Sequence, residues 1–169
     1  MRVVIVAMLA VALGLGALMY YLQVYAYYDE VSLEEAGGIT VVMRGTGRPQ
    51  ELEVTGFRAI DSLSSPIRFR ACFETGAGPD DLADAVAVPD AEPLVAPGWF
   101  DCFDARRIGE ALQDGTAVAV LGEENVHYGI DRIVAITGDG RGYAWHQINA
   151  CGAVVFDGDP PPEGCPPPP

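Results

Sequence analysis

Two side chains in this sequence carry a proton that ordinarily moves near neutral pH, His127 and His146. Glu123, Glu124 and Asp131 lie close to them along the chain, so an acid–base pair is the first chemistry to weigh. The spacing fixes no distance between the imidazoles, and a histidine on a strand or loop is more often a structural hydrogen-bonding residue. Nucleophilic chemistry has less to draw on. None of the four serines, Ser32, Ser62, Ser64 and Ser65, sits in a G-x-S-x-G elbow. All ten basic residues are arginine, which removes Schiff-base chemistry, the phosphate-loop lysine and a kinase active site. Arg68 and Arg70 share one face of any strand that contains them and could hold an anion. Pairing with some of the 24 carboxylates is the plainer use. The turns at Gly138 to Gly142 and Asp157 to Asp159 lack the ligand spacing of a phosphate loop or an EF-hand. No cofactor is expected.

The four cysteines, Cys72, Cys102, Cys151 and Cys165, show neither the CxxC of a thiol oxidoreductase nor zinc-ligand spacing. An even number in an exported domain points to two disulfides. Proximity alone favours Cys72 with Cys102 and Cys151 with Cys165. The second bridge would pin a proline-rich tail, worth ~3 kcal/mol in the chain-entropy picture. Around Cys102 the run GWFDCFD holds Trp99, Phe100 and Phe103, which read as core or, if exposed, as a docking surface.

The segment that places these groups is the first. From Val3 to Met19 no residue is charged or strongly polar, and through Tyr25 only Gln23 interrupts. Such a run crosses a hydrocarbon core of about 30 Å. Tyr20, Tyr21, Tyr25, Tyr27 and Tyr28 suit the membrane–water interface at its end. Arg2 precedes the run and Asp29, Glu30, Glu34 and Glu35 follow it, which puts the N-terminus in the cytoplasm. The competing reading is a secretory signal cut after Ala26. The length of the apolar run favours an anchor, and either reading exports the rest. The formal charge is −14, with every acidic residue beyond residue 28, which argues against nucleic-acid binding.

The expected organisation is an anchor over 1–28, a linker over 29–38, a domain over 39–156 and a proline-rich tail over 157–169. Ser32 and Glu35 have capping-box spacing. Residues 39–44 and 50–55 read as a hairpin around the turn residues Gly45 to Pro49. Residues 67–74 alternate, with Ile67, Phe69, Ala71 and Phe73 on one face and Arg68, Arg70, Cys72 and Glu74 on a polar one. Pro79, Asp80 and Asp81 start a helix leading into 82–86. Pro89, Pro93 and Pro97 hold 87–98 extended. Asp104 caps a helix over 105–113. Strands are expected at 116–121, 130–136, 143–149 and 153–156, with turns at 122–125 and 138–142. Trp145 and His146 then point to opposite faces of their strand. The sum is an α+β protein: a transmembrane helix, then a small, mostly antiparallel sheet with one or two short helices.

The blocks MYYLQVYAYYDEV (19–31), SSPIRFRACF (64–73), AEPLVAPGWFDCFDARRIGEAL (91–112), HYGIDRIVA (127–135) and WHQINACGAVVFDG (145–158) resemble a family of small single-pass membrane proteins of Gram-negative bacteria, a domain of unknown function. The resemblance implies an inner-membrane protein and assigns no activity, cofactor or catalytic residue. The expected function is therefore a non-enzymatic, membrane-anchored periplasmic accessory, scaffold or assembly protein. Its partners would be the inner membrane and another membrane protein. The alternatives are a ligand-binding or sensory module using Arg68, Arg70 or the Trp99–Phe100 patch, and an enzyme centred on His127 or His146.

Overall fold

The computed structural model describes residues 2–169. Helix α1, Arg2–Tyr21, continues into a wider π-type turn, Leu22–Ala26. Together they form one helix long and apolar enough to cross a membrane. None of the side chains of α1 is buried against the rest of the protein, as expected where lipid supplies the apolar surroundings.

The part after the helix is one six-stranded antiparallel sheet with a small hairpin laid on it. Its strands are β1 (Asp29–Val31), β4 (Val54–Asp61), β5 (Arg70–Thr75), β6 (Ala117–His127), β7 (Ile130–Thr137) and β8 (Arg141–Ile148). The order across the sheet is β1-β4-β5-β8-β7-β6. Strands β2 (Thr40–Val42) and β3 (Pro49–Glu51) make the separate hairpin. Helices α2 (Ala105–Gln113) and α3 (Ala150–Phe156) complete the α+β arrangement.

Both faces of the sheet are buried. On the first face Ala59, Ala71, Ala144, Val134 and Val120 lie in one transverse row, each the strand partner of the next. Three alanines in succession leave a shallow floor, and Ile39, just before β2, and Val41 within it are buried in one cluster with Phe69 and Phe73 over that face. On the second face the 87–104 loop and α2 cover Ile60, Cys72, Ile133 and Trp145 with Phe100, Phe103 and Ile108. Asp104 caps α2 by accepting from the backbone N–H groups of Arg106 and Arg107 at 3.1 Å each. The 87–98 segment is extended as its prolines require, and its Val88 N–H bonds Ala119.

The cysteines pair as Cys72–Cys102 and Cys151–Cys165, with Cα separations of 6.2 and 5.7 Å. The first bridge staples the covering loop to β5. The second holds the tail against α3.

Four expectations are corrected. Residues 29–38 are not a linker throughout: Asp29–Val31 pairs with β4 as an edge strand. The capping box then closes a single turn, with Glu35 accepting from the Ser32 N–H at 2.9 Å. Residues 122–125 are not a turn but a bulged stretch inside β6. A Cβ on Gly122 would meet Val134 at 2.9 Å and two backbone carbonyls at 3.1 Å, so the glycine serves close packing rather than chain reversal. Residues 153–156 are helical, because Asn149 caps α3 by accepting from Gly152 N–H. Pro79–Leu82 forms only a 3-10 turn.

Phe73 packs over Gly142, where an added Cβ would lie 1.9 Å from the ring. Both residues are buried, so neither can move aside. Gly142→Ala is expected to destabilise the full chain by about 2–3 kcal/mol through overpacking, read as a lowered denaturation midpoint in detergent. Thiol alkylation of the unreduced chain is expected to modify no cysteine, and removing the Cys72–Cys102 pair by double serine substitution to cost about 3–4 kcal/mol.

Candidate functional site

At one end of the first face the strands end in a polar row instead of an apolar one. Arg132 on β7 and His146 on β8 are strand partners, and Glu123 on β6 partners Arg132 on its other side. Phe69 stacks on the His146 ring at 4.7 Å between centroids. Beyond it Asp61 closes β4 opposite Asp29 of β1. The row thus runs from carboxylates at one edge, through an imidazole and a guanidinium, to a carboxylate at the other.

Each buried member is satisfied. Arg132 donates from Nε to His146 Nε2 at 3.3 Å and from Nη1 to the Ala36 carbonyl at 2.8 Å. Its Nη1 lies 3.8 Å from Glu123 Oε2. The guanidinium also sits 4.6 Å from the centroid of the Phe69 ring. His146 Nδ1 lies 2.7 Å from the Pro66 carbonyl, so it carries the hydrogen and Nε2 is the acceptor. This tautomer leaves no lone pair free for a substrate. Burial pushes the His146 pKa down to about 4, against the opposing pull of the Pro66 carbonyl, and the positive charges of Arg132, His127 and Arg70 add to the depression. The Asp61 carboxyl is held above the usual carboxylate range by burial, opposed by the Ser62 N–H, Arg132, His127 and Arg70. His127 is exposed, with its ring 6.4 Å from that of His146 and nearly perpendicular to it.

The arginines proposed for anion binding separate. Arg70 is 4 % exposed and donates to the carbonyls of Leu94, Ile67 and Phe69. Its supposed polar face is the second buried face of the sheet, and its partners are carbonyls rather than carboxylates. Burial lowers its pKa to about 10, so it stays charged at neutral pH. Arg68 lies over the Tyr28 ring at 5.4 Å, and its Nη1 has no hydrogen-bond partner among the described residues. Phe100 and Trp145 are core residues.

Trp99 packs at the margin of that core, half-buried and edge-on to Phe100. Its indole N–H donates to the Val24 carbonyl at 2.6 Å, and its ring stacks on Tyr25 at 6.4 Å and meets Tyr28 edge-on at 6.2 Å. The end of the apolar helical segment is therefore keyed into the folded domain.

An open groove of about 670 Å³ at the other end of the sheet is lined by Arg107 and Arg141 but also by Asp101, Asp104 and Asp139. Its mixed charge gives no convergent set of one sign. Among the described residues no group of three His, Cys, Asp or Glu is placed to hold a metal ion.

The model of a family of unknown function, DUF6446, matches residues 39–166. The chain belongs to the DUF6446 family. The match takes in the hairpin, strands β4 to β8, all four cysteines, the Arg132–His146 pair and Trp99. No curated protein and no solved structure matches the chain.

Sequence reasoning missed Arg132 and Asp61 as site members of this DUF6446 chain. A signal for Arg132 was present: it is the one basic residue inside the apolar run of β7. The tie between Trp99 and Val24 joins residues 75 positions apart, and no local pattern announces it.

The His146 environment sets a pH dependence. Its folded pKa, about 4, lies below the unfolded value near 6.5, so the folded state binds fewer protons between them. Stability from this site is complete above pH ~6.5 and falls as pH drops toward ~4, by about 3 kcal/mol at most. Asp61, raised in the fold, acts in the opposite sense and offsets part of the loss at the acid end. Replacing His146→Gln is expected to flatten the change in urea midpoint between pH 7 and pH 4.5, whatever it does to stability at pH 7.

Proposed function

We propose that this chain is a non-enzymatic accessory or scaffold protein, anchored in the bacterial inner membrane with its N-terminus cytoplasmic and its folded domain in the periplasm. One observation carries the reading: the anchor is locked to the domain. Tyr27 and Tyr28 alone separate the helical segment from strand β1, and Trp99 grips Val24 and Tyr25 from the domain side. A domain so mounted holds a fixed height and heading at the bilayer, which suits presenting a surface to a neighbour in the same membrane. A flexible tether would serve better for a domain that must reach a diffusing substrate.

Other features agree. Two disulfides suit an oxidising compartment. Arg2 ahead of the helix and acidic residues after it favour the proposed heading. The polar row uses its ionisable side chains on one another and on backbone carbonyls, a structural use. Cleavage after Ala26 would discard the residues that Trp99 holds, so retention of the anchor fits the contacts better than removal.

The test is native purification from solubilised membranes through a tag placed after Pro169, at endogenous expression. A stoichiometric membrane-protein partner and an intact mass that includes residues 2–26 are expected. A chain that purifies alone, or a mature N-terminus at Tyr27, would overturn the reading.

A further inference from the structure

Outside the anchor, the large hydrophobic side chains left exposed are Leu63, Val95, Ile148 and Phe156, among the described residues. Leu63 is fully exposed and Val95 is 81 % exposed. They are not scattered. Strand β1 leaves the anchor at Asp29, whose partner is Asp61, the last residue of β4. An antiparallel partner of a strand that leaves the membrane runs back toward it. The loop after β4, with Leu63 two residues past Asp61, is therefore at the end of the sheet from which the anchor emerges.

Val95 reaches the same end by a different route. The Leu94 carbonyl accepts from Arg70 Nε, and Arg70 is the first residue of β5. Four residues after Val95, Trp99 contacts Val24, Tyr25 and Tyr28. Ile148 ends β8 and Phe156 ends α3, further round that end of the sheet. The opposite end, with the 75–77, 114–116 and 138–140 turns, exposes no large hydrophobic side chain.

We propose that this end of the domain docks onto the lipid bilayer, with Leu63 and Val95 inserted into its interfacial zone beside the tyrosines of the anchor. The occupant is lipid because the anchor fixes where the bilayer lies, and these two loops border its exit. Tyr25, Tyr28 and Trp99 form the kind of aromatic cluster that settles at headgroup level. Among the neighbouring charges, Asp29, Glu30 and Asp61 outnumber Arg68, whose guanidinium lies over the Tyr28 ring, so the attraction is apolar insertion rather than binding to anionic headgroups. A vesicle of neutral phosphatidylcholine suffices, and added salt leaves the contact in place. The proposal rests on the anchor spanning the bilayer but on neither its heading nor a protein partner.

The experiment places the full chain in phosphatidylcholine vesicles carrying a doxyl quencher on the acyl chain. Cysteines introduced singly as Leu63→Cys, Val95→Cys and Gly138→Cys take an environment-sensitive fluorophore without reductant, since the native thiols are paired. Gly138 is a sound control, because a Cβ there meets nothing within 4 Å. Blue-shifted, quenched emission is expected at 63 and 95, and water-like, unquenched emission at 138. Equal emission at all three positions overturns the proposal. Should a new thiol disturb the native pairs, the wild-type chain is irradiated in vesicles of phosphatidylcholine with an acyl-chain diazirine. Cross-links in 62–66 and 94–98, besides those in α1, are the supporting result. Cross-links in α1 alone overturn the docking and leave the anchor standing. None in α1 overturns the anchor itself.

Discussion

The pairing of β1 with β4 is the contact on which the rest of this structure depends. Three residues of backbone ladder, begun directly after the helical segment, convert an apolar helix on a domain into a domain with a fixed base. Without that pairing the ten residues after Tyr28 would be a flexible leash. Trp99 could then hold Val24 and Tyr25 only against the full entropy of the leash. With it, the ordering is shared between the edge strand and the indole, and each makes the other less costly.

The same constraint accounts for the chemistry of the sheet. Where the sheet is covered on both faces a charged side chain has no route to water, so the buried Arg70 and Arg132 must find partners within the protein. Arg70 and Arg132 meet this demand in the same way, by donating to carbonyls of the loops that cross their respective faces. His146 is held neutral and bonded at both nitrogens, an arrangement that positions Arg132 and the 66–69 loop and leaves neither nitrogen of that ring free. Close approach of the imidazoles of His127 and His146 alone would suggest an acid–base pair; the hydrogen bonds of the buried ring give it another use.

What could be read in advance was local. The alternation of β5, β7 and β8, the turn around Gly45 to Pro49 and the Asp104 cap each have their cause within a few neighbouring residues. The disulfide pairs followed sequence proximity, each bridge joining cysteines 30 or 14 residues apart. The errors arose where tertiary packing decides. Gly122 with Glu123, Glu124 and Asn125 has turn composition, yet the hairpin laid over β6 needs a residue without a Cβ there. Ala153 to Phe156 has strand composition, yet the Asn149 cap and the bridge from Cys151 close it into a helix. Arg70 looked solvent-facing because period-two alternation says which residues share a face and not whether that face is wet. The site was legible only as a set of residue types. That His146 faces Arg132 is a fact of register between β7 and β8, and that Trp99 faces the anchor is a fact of topology.

The tail has a consequence of its own. The Cys151–Cys165 bridge and the hydrogen bond from the Tyr128 hydroxyl to the Pro166 carbonyl return the C-terminus to the 127–130 hairpin. That hairpin belongs to the end of the sheet where β4 finishes and the helical segment enters. The sheet is thus entered from the helical segment and left by the tail at one pole, and the turns at 75–77, 114–116 and 138–140 cap the other. Length variation in those turns would change the profile of that pole while leaving the joint between helix and sheet untouched. The fold in this way separates the pole that joins helix, sheet and tail from the pole built of turns alone.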